Sequence, residues 1–221
     1  MVGSRAMKLG CIGCLGTILG LLLLCGVAGG ALWAWAGIHA TPPLLTVSRA
    51  EPDSGAVERK LAEVALRESG RSNRSEPLLF NEPEVATLLW TYLSDAGLGL
   101  SPVAVKLRPG RVSLQGRLPL RALVQGSPTG WVASVLPRST LRSPIWITLV
   151  GYVELDPPLG PRRPRYAEAT LLETRVGRIS VPGSLLSLML GPRGASLLRW
   201  QVPGVVDQLE VGEGRLTLRT R

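Results

Sequence analysis

The chain has 221 residues, of which 45% are hydrophobic, and a formal net charge of +9 at pH 7. Without an apolar N-terminal run, roughly 180 residues remain, which fits one domain with a core of its own better than two domains. The three cysteines, Cys11, Cys14 and Cys25, all lie in that run, which excludes a disulfide framework or a thiolate metal site in the domain.

The sequence also argues against catalysis. The single histidine, His39, lies at the end of the apolar run, so no histidine triad or multi-histidine metal cage can form in the domain. No GxGxxG, phosphate-loop, HExxH or EF-hand pattern occurs. Four carboxylates on neighbouring predicted strands are expected to form cross-strand ion pairs rather than a glycosidase-like pair. They are Glu154, Asp156, Glu168 and Glu173. We therefore expect no enzyme activity, no cofactor and no metal.

Residues 9–38 contain no charged side chain. As one helix they would reach about 45 Å, more than the bilayer core needs. Since a cleavable signal peptide has an apolar core of only about 7–15 residues, the run predicts an uncleaved transmembrane signal anchor. Arg5 and Lys8 before it predict a cytoplasmic N-terminus and a periplasmic or extracellular domain. Two GxxxG spacings, beginning at Gly16 and Gly26, allow a homodimer through this helix.

The expected organisation is a cytoplasmic tail (1–8), a transmembrane signal anchor (9–38), a juxtamembrane linker (39–52) and one extracytoplasmic domain (53–221). The linker is predicted because Thr41 is followed by two prolines, which cannot continue a helix.

The domain begins with two predicted helices. Asp53 or Ser54 can cap the first, which carries Val57, Leu61 and Val64 on one face. Asn81 is the predicted cap of the second, followed by a proline and two carboxylates in its first turn, and Gly97 ends it.

From there the period changes to that of strands. A hairpin is predicted around Pro109-Gly110, a long strand over 144–156 pairs with 165–178, and a last hairpin turns at 212–214. Residues 125–143 are predicted to be a loop, and short helices are predicted over 182–190 and 195–200. The expected fold class is α+β, with one N-terminal transmembrane helix, two helices and an antiparallel sheet with short inserted helices.

The helix start Asn81-Glu82-Pro83-Glu84, the Pro109-Gly110 hairpin and the later segments 175–182 and 213–218 share a rhythm with one group of envelope proteins. Over residues 81–221 the chain resembles the AsmA-like and tubular lipid-binding proteins. The resemblance implies a highly curved antiparallel sheet wrapped around a helix, with an apolar groove suited to acyl chains. It brings no binding or catalytic residue with it.

Two segments are too apolar for a solvated surface. Each is predicted to line such a groove, to contact the bilayer, or to close the core. The candidate residues are Trp131, Val135, Leu136, Leu185, Leu186 and Met189.

The positive charge is concentrated in residues 106–221, which carry seventeen basic and seven acidic side chains, a net charge of +10. Nearly all of it is arginine, which suits the phosphate of a lipid headgroup. Arg162, Arg163 and Arg165 are the candidate headgroup contacts. The alternative is a solvated surface encoded by an arginine-biased genome. A nucleic-acid partner is not expected, because no motif for one occurs.

Two functions follow from these patterns. The first is a membrane-anchored binding module of the cell envelope, whose partner is membrane lipid or another hydrophobic or anionic envelope molecule. The second is an accessory or scaffold subunit of a larger membrane protein complex. An apolar cavity would favour the first function, and a filled core with a flat apolar patch would favour the second.

Overall fold

The structure, a computed structural model, describes residues 26, 29–30, 32–43, 54–124, 138–157, 165–182 and 198–221. Four helices and nine strands have defined bounds. The helices are α1 (Ser54–Glu68), α2 (Glu82–Asp95), α3 (Leu120–Val124) and α4 (Arg138–Arg142). The strands are β1 (Leu78–Asn81), β2 (Val103–Arg108), β3 (Arg111–Pro119), β4 (Pro144–Leu155), β5 (Arg165–Val176), β6 (Ile179–Val181), β7 (Arg199–Val202), β8 (Val206–Gly212) and β9 (Arg215–Thr220).

The strands form two antiparallel sheets. The larger sheet has the order β2-β3-β4-β5-β6. Strand β6 pairs with the C-terminal end of β5, and β7 pairs with the N-terminal end of β5 on the same edge. The smaller has the order β1-β9-β8. Two backbone hydrogen bonds join the sheets where their hairpins meet: Gly110 N donates to Val211 O at 2.9 Å, and Gly214 N donates to Leu107 O at 3.1 Å. The inner faces of both sheets are thereby held around α2.

Helix α2 begins with a capping box. The Asn81 side chain accepts a hydrogen bond from Glu84 N at 2.9 Å, and Glu84 Oε2 accepts one from Asn81 N at 2.8 Å. These two bonds satisfy amide groups that a helix start otherwise leaves without a partner. The first turn then packs Val85 against Phe80 and Leu107 in a buried cluster.

A buried arginine fastens α1 to the smaller sheet. Arg67 Nη1 donates to Thr220 Oγ1 at 2.8 Å and to Glu76 O at 2.7 Å, and its Nε donates to Glu63 Oε1 at 3.0 Å. Since Thr220 ends β9, this one side chain connects α1 to the end of the chain.

The N-terminal helical segment, residues 32–39, ends against the larger sheet. Arg178 N donates to Gly37 O at 3.0 Å, and Ile38 packs on the cluster around Leu118 and Ile147. Gly177 in the β5–β6 turn has φ +61° and meets the carbonyl oxygens of Gly37 and Ile38, where any Cβ would collide. The last turn of this segment is therefore part of the domain.

The expected α+β class with a transmembrane helix is wrong. Strands make up 43% of the described residues, so the protein is mainly antiparallel sheet with few helices. In the described part of the chain, no helix is long and apolar enough to cross a membrane, against the one predicted over 9–38. At the C-terminal side of that run, Gly37 and Ile38 dock on the β5–β6 turn. This docking makes them part of the domain rather than of a membrane span.

Two local predictions differ as well. Residues 199–202 form strand β7 rather than part of a helix, because they complete the hydrogen bonds of the β5 edge from Arg165 to Glu168. Residues 138–142 form helix α4 inside the predicted loop, and the rest of that loop, 125–137, lies outside the described residues. The short helix predicted over 182–190 also lies outside them, except for Pro182.

Candidate functional site

An apolar cavity lies between α2 and the inner faces of the two sheets. Its volume is about 470 Å³, within the range of roughly 300–1,000 Å³ that small-molecule sites occupy. One wall is α2, a second is the inner face of β3, β4 and β5, and β7, β8 and β9 complete it.

The helical wall follows from the spacing of apolar residues in α2. Val85, Leu88, Leu89, Tyr92 and Leu93 recur at intervals of three and four, so they share one face of the helix, and all five line the cavity. Only the first turn of that face is fully buried, at Val85. Leu88, Leu89 and Leu93 in the later turns are partly buried: they pack against the two buried clusters and also line the cavity.

The sheet wall follows from alternation along β3 and β4. Val112, Leu114 and Leu118 on β3 point inward, as do Ile147 and Leu149 on β4.

The sheet wall contains an irregularity in its strand pairing. The pairing of β4 with β5 shifts register between Val150 and Gly151. The shift leaves Leu172 of β5 without a partner on β4. Beside it, the consecutive β4 residues Gly151, Tyr152 and Val153 all line the cavity.

Polar groups in the described lining are few. Tyr92, Tyr152 and Gln201 contribute a hydroxyl or an amide, and the Tyr92 and Trp200 rings lie 6.4 Å apart between centroids. Among the described lining residues there is no aspartate, glutamate, lysine, arginine or histidine. Such a lining suits an apolar ligand and offers no charged group for acid–base chemistry.

Ion pairs fix the base of α2 against its surroundings. Lys60 Nζ lies 2.6 Å from Glu84 Oε1 and donates to Leu79 O, so α1, β1 and α2 are joined at one point. Glu82 Oε1 accepts from Leu107 N at 2.9 Å and lies 3.2 Å from Lys106 Nζ. Both glutamates are buried, and a buried carboxylate is stable only with such partners. The helical wall therefore has a fixed position relative to β2.

Of the residues that the sequence predicted as a site, only one is described. The candidate groove residues Trp131, Val135, Leu136, Leu185, Leu186 and Met189 lie outside the described residues, as do the headgroup candidates Arg162 and Arg163. Arg165 is 8% exposed. Its guanidinium donates to Asp156 O, Val206 O and Asp207 O, with distances from 2.7 to 3.1 Å. This side chain clamps β5 to β8.

The four strand carboxylates do not share one arrangement. Asp156 Oδ2 lies 2.8 Å from Arg199 Nη2, and Glu173 pairs with Arg175 two residues along β5. Glu154 and Glu168 face each other across β4 and β5, and both are exposed. His39 packs its ring edge-on against Trp35, with 4.4 Å between centroids.

The cavity residues themselves were not singled out from the sequence. Their signals were present, as the helical spacing of α2 and the alternation in β3 and β4, but both patterns equally describe a filled core. The difference depends on how far apart the walls stand, which local periodicity does not encode.

No protein-family model, no curated protein and no solved structure matches the chain. The resemblance to AsmA-like and tubular lipid-binding proteins stays a prediction. Among the described residues, no group of three or more His, Cys, Asp or Glu side chains is placed to hold a metal ion.

Proposed function

We propose that this protein is a binding module for a lipid or another hydrophobic molecule, which it holds by its apolar part in the cavity beside α2. The observation that carries the proposal is the cavity of about 470 Å³ whose described lining is apolar on every wall.

The physical argument concerns what such a lining requires. Apolar side chains facing water lose the free energy of burial, about 25 cal/mol per Å². Facing an empty space, they lose the dispersion contacts that a packed core provides. An apolar ligand removes both losses, so its binding is favoured by the lining alone.

The shape of the ligand follows from the few polar groups. A molecule with an apolar chain can place that chain against Leu89, Leu114 and Leu149, while its polar end stays outside the described lining or meets Tyr92, Tyr152 or Gln201. A fully polar or charged ligand would be buried without a charged partner there, which is costly. An acyl chain is the class that fits best.

Ala169 offers a direct test, because it lines the cavity from β5 with a small side chain. Ala169→Trp places an indole in the cavity and removes nothing from the fold's hydrogen bonds. The next residue, Thr170, is exposed, so Thr170→Trp adds the same side chain to the surface and is the matched control.

The measurement is a titration of the full chain, kept in an amphipathic polymer after detergent removal, with a fatty acid that carries a fluorescent polyene. Excluding two or more methylene groups, each worth about 0.8 kcal/mol, should weaken binding about tenfold or more in Ala169→Trp. Thr170→Trp should bind like the unmodified chain. Equal affinities for the two variants, with both folded by circular dichroism, would refute the cavity as the binding site.

The expected location of the domain outside the cytoplasm stays a prediction, and so do the headgroup contacts at Arg162 and Arg163. The alternative role as an accessory subunit of a membrane complex stays a prediction too.

A further inference from the structure

One end of the larger sheet collects exposed arginines. In the antiparallel order, the end of β3, the start of β4 and the end of β5 lie together, because Pro119 pairs with Pro144 and Ile147 pairs with Val176. Helices α3 and α4 and the β5–β6 turn therefore share this end. Its five exposed arginines define the arginine end: Arg117, Arg121, Arg138, Arg142 and Arg178.

Among the residues that the structure describes, no carboxylate forms an ion pair with these five arginines. Residues 32–43, 116–124, 138–146 and 177–182 contain no aspartate or glutamate, and Arg175 with Glu173 forms a pair of its own. Asp95, the last residue of α2, lies outside these segments. Within the described part of the chain, none of the five arginines pairs with a carboxylate, and Arg117 stacks on the Trp146 ring 4.3 Å from its centroid.

The opposite end of the sheet is mixed in charge. The turn at Arg108–Arg111 meets the turn that holds Glu213, while Glu154, Asp156 and Glu168 lie where β4 ends and β5 begins. Nine residues of β3 separate the two ends, a distance of about 30 Å. The charge is therefore polarised along the strands.

Exposed aromatic side chains lie beside the arginine end. The N-terminal helical segment docks there through Gly37 and Ile38, and on it Leu32, Trp33 and Trp35 are 70%, 74% and 41% exposed. Tryptophan and arginine together are typical of surfaces that contact the headgroup region of a bilayer, since the indole fits the interface and the guanidinium binds phosphate.

We propose that the arginine end, with Trp33 and Trp35, docks on an anionic lipid bilayer surface. The charge complementarity selects a bilayer that contains anionic headgroups. Ile38 at this end packs on the cluster with Leu118 and Ile147, and both of these residues line the cavity. Docking thus brings one end of the cavity next to the lipid surface.

The test measures the emission of an environment-sensitive fluorophore that is attached at one end of the larger sheet or at the other. In the full chain with Cys11, Cys14 and Cys25 changed to serine, Ser139→Cys places the fluorophore on α4, and Glu213→Cys places it at the opposite end. The chain is added to nanodiscs of phosphatidylcholine, with or without phosphatidylglycerol. We expect a blue shift and protection from iodide quenching at position 139 only, in anionic nanodiscs only, and weaker at high salt.

Two triple variants with the same charge change complete the test. Arg121→Gln, Arg138→Gln and Arg142→Gln together lower the formal charge from +9 to +6, as do Arg108→Gln, Arg111→Gln and Arg215→Gln at the other end. The first set should reduce the ratio of docked to free chain about fivefold per arginine, whereas the second should leave it nearly unchanged.

Each of the following outcomes would overturn the docking: a response at 213 as large as at 139, an equal response in neutral nanodiscs, or equal effects of the two triple variants. An absent response at 139 would overturn it as well. Docking does not require an occupied cavity, so this result is independent of the fatty-acid titration.

Discussion

Arg67 and Arg165 show at the scale of single residues how the fold uses a buried charge. Each guanidinium bonds to groups from separate elements: Arg67 to Glu63, Glu76 and Thr220, and Arg165 to carbonyls of the β4 end and of β8. The sequence could not distinguish these two arginines from exposed ones. Arg165 bonds to backbone carbonyls, which every residue has, and the Thr220 partner of Arg67 lies 153 positions away along the chain. In a sequence rich in arginine, these two structural residues could therefore not be recognised.

Arg67→Met should lower the free energy of unfolding by about 1–3 kcal/mol, because it leaves the Glu76 carbonyl and the Thr220 hydroxyl without a donor. Urea unfolding of the full chain measures the loss. Arg71→Met, at an exposed arginine four residues later, is the control and should change the value by less than about 0.5 kcal/mol. Equal effects of the two changes would show that the Arg67 contacts do not stabilise the fold.

Glu63 adds a dependence on pH. The Ser72 hydroxyl donates to its carboxylate at 2.7 Å and Arg67 donates at 3.0 Å, and these bonds hold the pKa of Glu63 below its usual range. A depressed pKa contributes stability that is fully present above the unfolded-state pKa and is lost as pH falls through the folded-state pKa.

Glu63→Gln should therefore lower stability near neutral pH, and the difference from the unmodified chain should shrink as the pH falls from about 5 to about 3. Thermal unfolding across that range measures it. Glu68→Gln removes the same charge from an exposed position of α1 and serves as control. A difference that does not vary with pH would contradict the role given to Glu63.

At the scale of helices and strands, the sequence predicted the elements that are determined by residues close together in the chain. The Asn81–Glu84 capping box starts α2, the Pro109-Gly110 turn joins β2 to β3, and the turn at 212–214 joins β8 to β9, as the sequence indicated. Strands β1 and β7 were missed because each is short and is defined by a distant partner, β9 and β5 respectively. Their backbone groups reveal this only once the partner is in place.

Gly177 fixes the N-terminal helical segment on the larger sheet, and two glycines allow that contact to be isolated. Gly177→Ala imposes both a left-handed backbone conformation and a collision with the Gly37 and Ile38 carbonyl groups. Gly110→Ala imposes only the first, since Gly110 has φ +68° and open space around it. Gly110→Ala should lower the free energy of unfolding by about 1–2 kcal/mol, and Gly177→Ala should lower it by more.

Hydrogen exchange of the Arg178 amide, which donates to Gly37 O, provides the element-level readout. Gly177→Ala should speed its exchange, whereas Gly110→Ala should not. If both variants left this amide equally protected, the docking of Gly37 and Ile38 would not depend on the close approach at Gly177.

For the molecule as a whole, the cavity is the feature that the sequence described least. The apolar faces of α2, β3 and β4 were predictable one by one, but the space between them depends on the register of β4 with β5 and on the position of β7 and β9 across the cavity. The position of β9, for example, depends on its pairing with β1, which joins residues more than a hundred positions apart, such as Leu79 and Thr217. A pattern of apolar residues fixes which faces are buried and leaves open whether they meet.

The charge pattern was visible at this scale only as a total. The sequence placed an excess of arginine after residue 106, and the strand order then gathers five of those side chains at one end of the larger sheet. Antiparallel pairing explains the gathering, since it brings together segments from the end of β3, the start of β4 and the end of β5.

Native mass spectrometry of the full chain, released from a mild detergent, tests the binding of a hydrophobic molecule most directly. The account predicts a population that carries one noncovalent adduct with the mass of a lipid or fatty acid, in the unmodified chain and in Thr170→Trp, and its loss in Ala169→Trp. A bare chain in every sample, or an adduct that Ala169→Trp retains in full, would contradict it.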